Sequence, residues 1–353
     1  MKFCLALSHH SWSRTGAVHP VEQTIETIEL ADQAGLDSVW LSEDPDGWDA
    51  FAVLGAAART TDRVRLGTGV TNPYLRHPNL LAMSVATIDR LSDGRAFLGL
   101  GRGQPEWYER RLGLKVGSPL RALSESVDLL RSWWQPPYQA SVDGHFEVND
   151  WARSVGPMQS PPIYLAALGP KALTLGAKKF DGLLISEFAS EPFLRGLIAD
   201  LRQRLPAADK SLDNFPVFVR TMIQVTDDPE PVLEQRKNLI ALVNALPGMS
   251  RHMDVPGFDV PAIMERVREA MHTDEVLAQG GAFIDIRRVA DFAAARKAIP
   301  TELVDALSYV GSVEKIRGKL ERLDSLGVSH AFVEPPPDLD VRAFTEMLTA
   351  IQP

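Results

Sequence analysis

Acidic and imidazole side chains follow several of the short apolar runs in this chain, where an enzyme could use them to move protons. Carboxyl and imidazole groups act as general acids and bases when they lie beside a reacting atom. Because His9 and His10 are adjacent, we expect only one of them to face a shared site, and a structural role is an equal alternative for that histidine. The candidates for proton transfer are Asp44, Glu106, His9 and His10.

The segment from Ala166 to Lys171 has the pattern of a phosphate-binding turn. An apolar run ends, Gly169 turns the chain, and Pro170 suits the first position of a helix. The free N–H groups at the start of that helix, with Lys171 beside them, would bind an anionic group. An ordinary turn between a strand and a helix is the alternative interpretation, and such turns are about as common.

Three glycines alternate with other residues at Gly99, Gly101 and Gly103. A dinucleotide-binding fingerprint has the form GxGxxG, and Gln104 stands where its last glycine belongs, so the signal for a Rossmann site is weak. Glycines at the end of a strand also let the backbone approach a flat ligand closely. We therefore expect either a ligand contact around Gly101 and Arg102 or a tight turn.

Strand-like and helix-like patterns alternate along the chain. Continuous apolar runs suit strands that are buried on both faces of a parallel sheet, and eight strand–helix units suit a closed (β/α)₈ TIM barrel. An open, doubly wound sheet is the alternative architecture. In a barrel, the loops after the strands share one end, so the polar residues there would meet. The predicted strands are Phe3–Leu7, Asp37–Leu41, Val64–Val70, Ala96–Leu100, Pro161–Ala167, Gly182–Ile185, Pro216–Val225 and Gly327–Val333.

Two longer stretches interrupt this alternation. Residues 136–160 contain a predicted hairpin that turns at Asp143-Gly144, and residues 227–311 are mostly helical with Pro-Gly breaks. Long insertions in a compact domain often serve as lids or binding loops. We interpret residues 1–353 as one domain with these two insertions, which we expect to shape a substrate pocket.

Composition and charge argue against several other classes of protein. The net charge of −9 argues against nonspecific binding of nucleic acid. A single cysteine, Cys4, leaves no disulfide framework and no cysteine zinc site within the chain. No metal-ligand motif is present, so we predict no metal. No apolar run approaches the roughly 18 residues of a membrane helix, and the start of the chain lacks the features of a signal peptide, so we expect a cytoplasmic protein.

Several of these segments together resemble the luciferase-like superfamily, and in particular its deazaflavin-dependent branch, which includes methylenetetrahydromethanopterin reductase. The run Leu66–Pro78 is similar to the third-strand motif of that branch, and the run from Ala86 to Gly101 is similar to its D-x-L-S-x-G-R…L-G-x-G segment. The segment Ala166–Ala172 and the later Asp181-Gly182 match its fifth and sixth strands. The resemblance is collinear over about the first half of the chain and weaker beyond it.

This resemblance implies a binding site for a tricyclic ring at the top of the barrel. Members of the family carry a cis peptide bond after the third strand, which here would join Gly69 and Val70 and back the central ring. Thr71 and Asn72 would contact the polar edge of the ring. Glu43 would take a further ring-contact position after the second strand.

The resemblance also implies where the phosphate-bearing arm of the cofactor lies, namely along the fifth and sixth strands. Lys178 and Lys179 offer further positive charge, although a solvated helix face explains them equally well. Asp44 stands where family members often carry a histidine, so the identity of the proton-transfer group stays open. The predicted cofactor-binding residues are Glu43, Gly69, Val70, Thr71, Asn72, Gly101, Arg102, Ala166, Ala167, Gly169, Pro170, Lys171 and Ile185.

The resemblance implies a coenzyme F420-dependent oxidoreductase that transfers a hydride to or from a small organic substrate. In coenzyme F420 a carbon replaces N5 of the flavin, so the ring carries a hydride and reacts slowly with oxygen. An FMN-dependent monooxygenase of the same superfamily is the alternative, because its phosphate would occupy a similar place. A non-catalytic barrel that only binds a ligand is the second alternative. Members of the superfamily often dimerise, and we expect a homodimer.

Overall fold

In a computed structural model of the chain, short strands alternate with helices, as the sequence predicts. The structure describes residues 1–8, 20–45, 47–281, 283–335 and 340–353, and only the backbone of Glu106, Trp107, Phe283 and Ile284. His9 and His10 lie outside the described residues. The strands are β1 (Lys2–Leu7), β2 (Ser38–Leu41), β3 (Arg65–Thr68), β4 (Ala96–Leu100), β5 (Gln139–Asp143), β6 (Glu147–Ala152), β7 (Ile163–Ala166), β8 (Gly182–Ile185), β9 (Val217–Val225), β10 (Val310–Gly311) and β11 (His330–Val333).

Eight of these strands close into a parallel barrel. Around the ring the order is β1, β2, β3, β4, β7, β8, β9 and β11, and β11 returns to pair with β1. The short strand β10 pairs with the carboxyl end of β9. The closed ring confirms the predicted TIM barrel and rules out the open, doubly wound sheet. Because the eight strands run in the same direction, the residues that follow them share one end of the barrel, which we call the mouth.

Side chains cap the first turn of several helices that surround the barrel. Asp49 accepts hydrogen bonds from the N–H groups of Phe51 and Ala52, at 2.9 and 3.0 Å. The helices are α1 (Val21–Gln33), α2 (Ala50–Thr60), α3 (Pro78–Leu91), α4 (Pro105–Leu112), α5 (Pro119–Trp134), α6 (Pro170–Lys179), α7 (Glu191–Arg204), α8 (Glu230–Leu239), α9 (Val260–Ala270), α10 (Thr273–Ala278), α11 (Phe283–Val289), α12 (Phe292–Ala298), α13 (Thr301–Leu307), α14 (Val313–Leu326) and α15 (Val341–Ile351), with a π-helical turn at Ile240–Asn244 and 3-10 turns at Leu205–Ala208 and Arg251–Met253.

Aromatic side chains fill the inside of the barrel. The ring centroid of Trp40 lies 4.4 Å from that of Phe97 and 4.7 Å from that of Phe218, and Tyr164 and Phe332 pack in the same cluster. The interior of such a barrel is a packed core and not a pore. These five residues, which we call the aromatic plug, therefore close the barrel beneath the mouth.

Both predicted insertions form the expected structures. Strands β5 and β6 pair as an antiparallel hairpin that turns around Gly144, as predicted. The long insertion is mostly helical, from α8 to α13, and these helices pack around apolar side chains of their own, such as Ile240, Met264 and Leu303. Within the described part of the chain, no helix is both long and apolar enough to cross a membrane.

Candidate active site

A cis peptide bond joins Gly69 and Val70 directly after β3, at the predicted position. The Gly69 N–H donates to the carbonyl of Leu41 at 2.8 Å, which holds this turn against β2. A Cβ at Gly69 would lie 2.6 Å from Cβ of Trp40 in the aromatic plug, so the backbone packs closer than any side chain permits. The prediction of the cis bond is confirmed.

Small side chains from three adjacent strand ends meet above the aromatic plug. Val70 and Ala166 are both partly buried and pack on the plug. A Cβ on Gly101 would lie 2.7 Å from Cγ2 of Val70 and 3.6 Å from Cβ of Ala166. Because Gly101 has no side chain, these residues form a low, mostly apolar floor at the mouth, which we call the platform (Val70, Gly101 and Ala166).

Glu43 is held by two neighbours at the edge of the platform. Its carboxylate accepts a hydrogen bond from Thr71 Oγ1 and pairs with the guanidinium of Arg76. Arg76 also donates to Asp49 Oδ2 at 2.7 Å and lies 4.7 Å from the ring centre of Phe51. The Glu43 side chain is 8% exposed, so this buried carboxylate has a fixed orientation and a bound counter-ion.

Asn72 and Tyr108 form a second polar contact at the mouth. Asn72 Oδ1 accepts hydrogen bonds from the N–H groups of Tyr74 and Leu75, at 3.1 and 3.0 Å. Asn72 Nδ2 donates to the Tyr108 hydroxyl at 3.3 Å. Burial raises the pKa of the Tyr108 hydroxyl, and the nearby charges of Asp44 and Glu43 raise it further. Asp44, half-buried after β2, therefore lies near Tyr108.

The start of α6 has the features predicted for an anion site. Gly169 occupies the N-cap position and no side chain caps the helix. A Cβ at Gly169 would meet nothing within 4 Å, so the space in front of the helix is open. Lys171 is exposed on the first turn. Lys178 and Lys179 lie at the opposite end of α6, and Lys179 pairs with Asp128 there, so they do not add charge to this site.

Three of the predicted cofactor contacts are covered by protein. Thr71 is 0% exposed and Asn72 is 2% exposed, and the hydroxyl and amide groups of these two residues are occupied by the bonds described above. Ile185 is 0% exposed and packs outward, among the residues between the strands and the helices. These three side chains have almost no exposed surface, so we infer that they support a bound cofactor from beneath or through their backbone, and their assignment as cofactor-binding residues stays a prediction.

The remaining predicted residues lie around the same mouth. Arg102 is exposed after β4, and Ala167, after β7, is nearly buried and donates its N–H to Leu184 O at 3.3 Å. Pro170 is the first residue of α6. Glu106 lies in the first turn of α4, and its side chain is not described.

The long insertion reaches across to the loop after β4. Arg110 Nη1 donates to Leu277 O at 3.1 Å, and Arg111 forms an ion pair with Asp285. These contacts join α4 to α10 and α11, so the insertion borders the mouth. Sequence reasoning missed this bridge, as it missed the role of Tyr108, because nothing in the local sequence relates residues so far apart in the chain.

A second polar group at the mouth was not among the candidate site residues, although two of its members follow predicted strands. Glu187 and Glu334 follow β8 and β11, Arg220 lies within β9, and Arg236 joins them from α8. The position of Glu187 and Glu334 directly after predicted strands was a usable signal, but Arg236 carried none. No group of three possible metal-ligating side chains occurs in the part of the chain that the structure describes.

Comparisons with known proteins agree with this architecture. The model of the family named luciferase-like monooxygenase matches residues 1–330. The chain is 27% identical over 309 residues to 5,10-methylenetetrahydromethanopterin reductase of Archaeoglobus fulgidus, which covers 88% of each chain. It is 30% identical over 264 residues to an F420-dependent glucose-6-phosphate dehydrogenase of Beutenbergia cavernae, which covers 71% of this chain and 76% of the relative.

A solved structure has the same fold. The coenzyme F420 dependent tetrahydromethanopterin reductase of Methanopyrus kandleri superposes with a TM-score of 0.78 over 98% of this chain and 96% of that chain, at 20% identity. At this identity the superposition establishes the barrel fold. Since the family model spans nearly all of the chain, the chain belongs to the luciferase-like monooxygenase family.

Proposed function

We propose that this chain is a coenzyme F420-dependent oxidoreductase that transfers a hydride to or from a small organic substrate. One observation carries the proposal: the platform and the uncapped start of α6 lie side by side at the mouth. They are close because β3, β4 and β7 are neighbours in the ring. The relatives named as F420-dependent enzymes support a deazaflavin as the cofactor.

The residues present fit a flat ring with an anionic arm. A flat ring needs a floor without projecting side chains, and a Cβ at Gly101 would obstruct that floor. An anionic arm needs free N–H groups and a nearby cation, and the start of α6 offers both. In this proposal Val70, Gly101 and Ala166 hold the ring, and Gly169 and Lys171 hold the arm.

Coenzyme F420 supplies a ring carbon that carries a hydride, and the protein handles the accompanying proton. Among the described side chains, Asp44 is our first candidate to hold or move that proton, because it lies at the mouth near Tyr108. Glu106, His9 and His10 remain candidates on the evidence of the sequence. The aromatic plug excludes water from beneath the platform, which favours transfer of a hydride over its loss to solvent.

The main rival is an FMN-dependent monooxygenase, whose phosphate would use the same start of α6. Titration of the purified apoprotein with coenzyme F420 and with FMN, followed by cofactor fluorescence, separates the two. We expect saturable binding of coenzyme F420 and weaker binding of FMN. Binding of FMN alone would reverse the cofactor assignment, and binding of neither would favour the non-catalytic barrel.

We also propose that two copies of the chain associate through an apolar face on α3. The end of β6 and the segment after it lie along this helix, where Trp151 Nε1 donates to Asn79 Oδ1 at 3.1 Å and Arg90 Nη2 donates to Pro157 O at 3.1 Å. Exposed apolar faces of this kind mark protein interfaces, and a symmetric dimer would cover the same face on both copies. The exposed apolar residues of this face are Leu80, Met83 and Leu91 on α3 and Trp151, Val155 and Met158 beside it.

A further inference from the structure

Four charged side chains lie on the opposite side of the mouth from Val70. Glu187 follows β8, Arg220 lies in β9, Glu334 follows β11, and Arg236 reaches the mouth from α8. In the ring of eight strands, β9 stands opposite β3. These four residues, which we call the charged cluster, therefore lie across the mouth from the platform, on the side that a substrate would occupy above a ring bound there.

Strand β9 is irregular at the level of the charged cluster. Its register against β11 shifts between Ala331 and Val333, and Met222 has a positive φ of 51°. The carbonyl of Met222 accepts a hydrogen bond from Arg236 Nη2. Irregularities of this kind re-aim side chains beside active sites, and here one fixes the guanidinium of Arg236 among the strand ends.

Two N–H groups of the cluster are buried without an acceptor. Within the described residues, no acceptor lies within hydrogen-bond distance of Arg236 Nη1 or of Arg220 Nε. Glu334 Oε2 lies 3.7 Å from Arg236 Nη2, and Glu187 Oε2 lies 3.8 Å from Arg220 Nε. Both are too long for a hydrogen bond. A buried cationic N–H without an acceptor is costly, and the Arg236 side chain is only 5% exposed, so these groups indicate an acceptor that is not part of the protein.

Glu334 connects the cluster to solvent and adjusts its charge. Its side chain is 38% exposed, so its carboxyl group is open to the mouth. Burial raises the pKa of the Glu334 carboxyl group. The nearby guanidinium groups of Arg236 and Arg220 lower this pKa, the Glu187 carboxylate raises it, and the net effect is a rise. When Glu334 holds a proton, the two guanidinium groups face one carboxylate, so the cluster carries a net positive charge.

We propose that the charged cluster is the substrate subsite of this enzyme, and that it takes the carboxylate of a small organic acid. A planar carboxylate presents two oxygens, which match the two available guanidinium donors of Arg220 and Arg236. A phosphate dianion fits less well, because Glu187 and Glu334 would repel its second charge. The term substrate rests on the proposed function, whereas the binding of a carboxylate does not.

Binding of a fluorinated probe pair to the apoprotein tests this assignment. The probes are 4-fluorobenzoate and 4-fluorobenzamide, which have similar shapes but differ in charge, and the readout is broadening of the ¹⁹F NMR signal with increasing protein. We expect saturable binding of the benzoate and weak or no binding of the amide. Arg220→Met and Arg236→Met should each weaken benzoate binding by about tenfold or more, as loss of a charge-assisted contact does.

Two further variants provide a control and a test of the charge of the cluster. Arg342→Met removes an exposed arginine of α15 that pairs with Glu346 and is not part of the charged cluster, and it should leave binding unchanged. Glu334→Gln should tighten benzoate binding at neutral pH. In the wild type, binding should strengthen as the pH falls toward the raised pKa of Glu334, because protonation removes a repelling carboxylate, and Glu334→Gln should abolish this dependence. Arg220→Met tests the site even where Arg236→Met fails to fold.

Equal binding of the benzoate and the amide, or full benzoate affinity in a folded Arg220→Met variant, would overturn the subsite. A protein that binds the benzoate but neither coenzyme F420 nor FMN would refute only the proposed function. Conversely, a protein that binds coenzyme F420 but no carboxylate probe would refute only the subsite.

Discussion

A side chain at Gly101 would overlap the side chain of Val70, since a Cβ there would lie 2.7 Å from Val70 Cγ2. The two residues come from neighbouring strand ends, after β4 and after β3. The backbone conformation of Gly101 is one that other residues also adopt. The position is restricted to glycine because Val70 lies so close. The flatness of the platform therefore depends on this one pair.

Gly101→Ala should lower the affinity for coenzyme F420 by about tenfold, or about 1.4 kcal/mol. The added methyl group displaces Val70 toward the space above the platform. The double variant Gly101→Ala with Val70→Ala removes the overlapping methyl group and should recover much of the affinity. Fluorescence titration of both variants checks this, and equal affinities of the single and double variants would contradict the role given to the platform.

The sequence predicted the barrel well because each strand carries its own signal. Continuous apolar runs identified all eight barrel strands, and the boundary errors have local causes. The eighth strand was predicted from Gly327 but begins at His330, because Gly327 ends α14 with a φ of 110°. The turn that begins α6 was also readable, since its glycine, proline and lysine are consecutive.

Contacts between distant residues could not be predicted in the same way. Glu43 was identified at the mouth, but its ion pair with Arg76 depends on how the loops after β2 and β3 pack. Arg236 lies in the long insertion, and its contact with Glu334 depends on the closed barrel, which brings α8 to the end of β11. The burial of Thr71 likewise depends on its neighbours in space. The sequence therefore supplied the residue types at the strand ends, and packing decides which of them face a ligand.

Lys171→Ala should weaken the binding of coenzyme F420 by roughly three- to tenfold, because a cation beside a helix start contributes to anion binding there. The loss should shrink at high salt, since salt screens an exposed charge. Lys178→Ala, at the far end of the same helix, is the matched control and should leave the affinity unchanged. Equal effects of the two substitutions would argue against an anion site at the start of α6.

Glu43→Gln should lower the free energy of unfolding by about 1–3 kcal/mol, because it breaks a buried, charge-assisted hydrogen-bond network with Arg76 and Thr71. Asp49→Asn removes the other carboxylate of Arg76, which is half-exposed, and should cost less than about 1 kcal/mol. Urea unfolding of both variants measures the difference. A smaller loss for Glu43→Gln than for Asp49→Asn would show that Arg76 relies on its exposed partner.

Met83→Asp should convert the proposed dimer into a monomer. A charge in the middle of the apolar face on α3 would have to lose its hydration when a second copy covers it. Sedimentation velocity measures the state of association. Val289→Asp places the same charge at an exposed apolar position on α11 and should leave the dimer intact. A wild-type protein that sediments as a monomer at all concentrations would refute the dimer itself.

The stability of the protein should fall as the pH decreases below about 6.5, the ordinary pKa of histidine, because of His252. Burial lowers the pKa of His252, and the hydrogen bond between its Nε2 and the carbonyl of Glu187, 2.8 Å long, offsets this only in part. Between the lowered pKa and the ordinary one, the unfolded chain binds a proton that the folded chain does not. The contribution of His252 to stability is therefore present above that range and is lost as the pH falls through it, by at most about 1.4 kcal/mol per pH unit.

Urea unfolding between pH 5 and 8 measures this slope in the wild type and in two variants. His252→Gln retains a side-chain N–H for the carbonyl of Glu187 but cannot take up a proton, so the slope below about pH 6.5 should become shallower. His272→Gln changes an exposed histidine at the start of α10 and should leave the slope unchanged. Because the slope and not the absolute stability is compared, a general loss of stability in His252→Gln does not obscure the result, and an unchanged slope in that variant would assign the acid sensitivity to other groups.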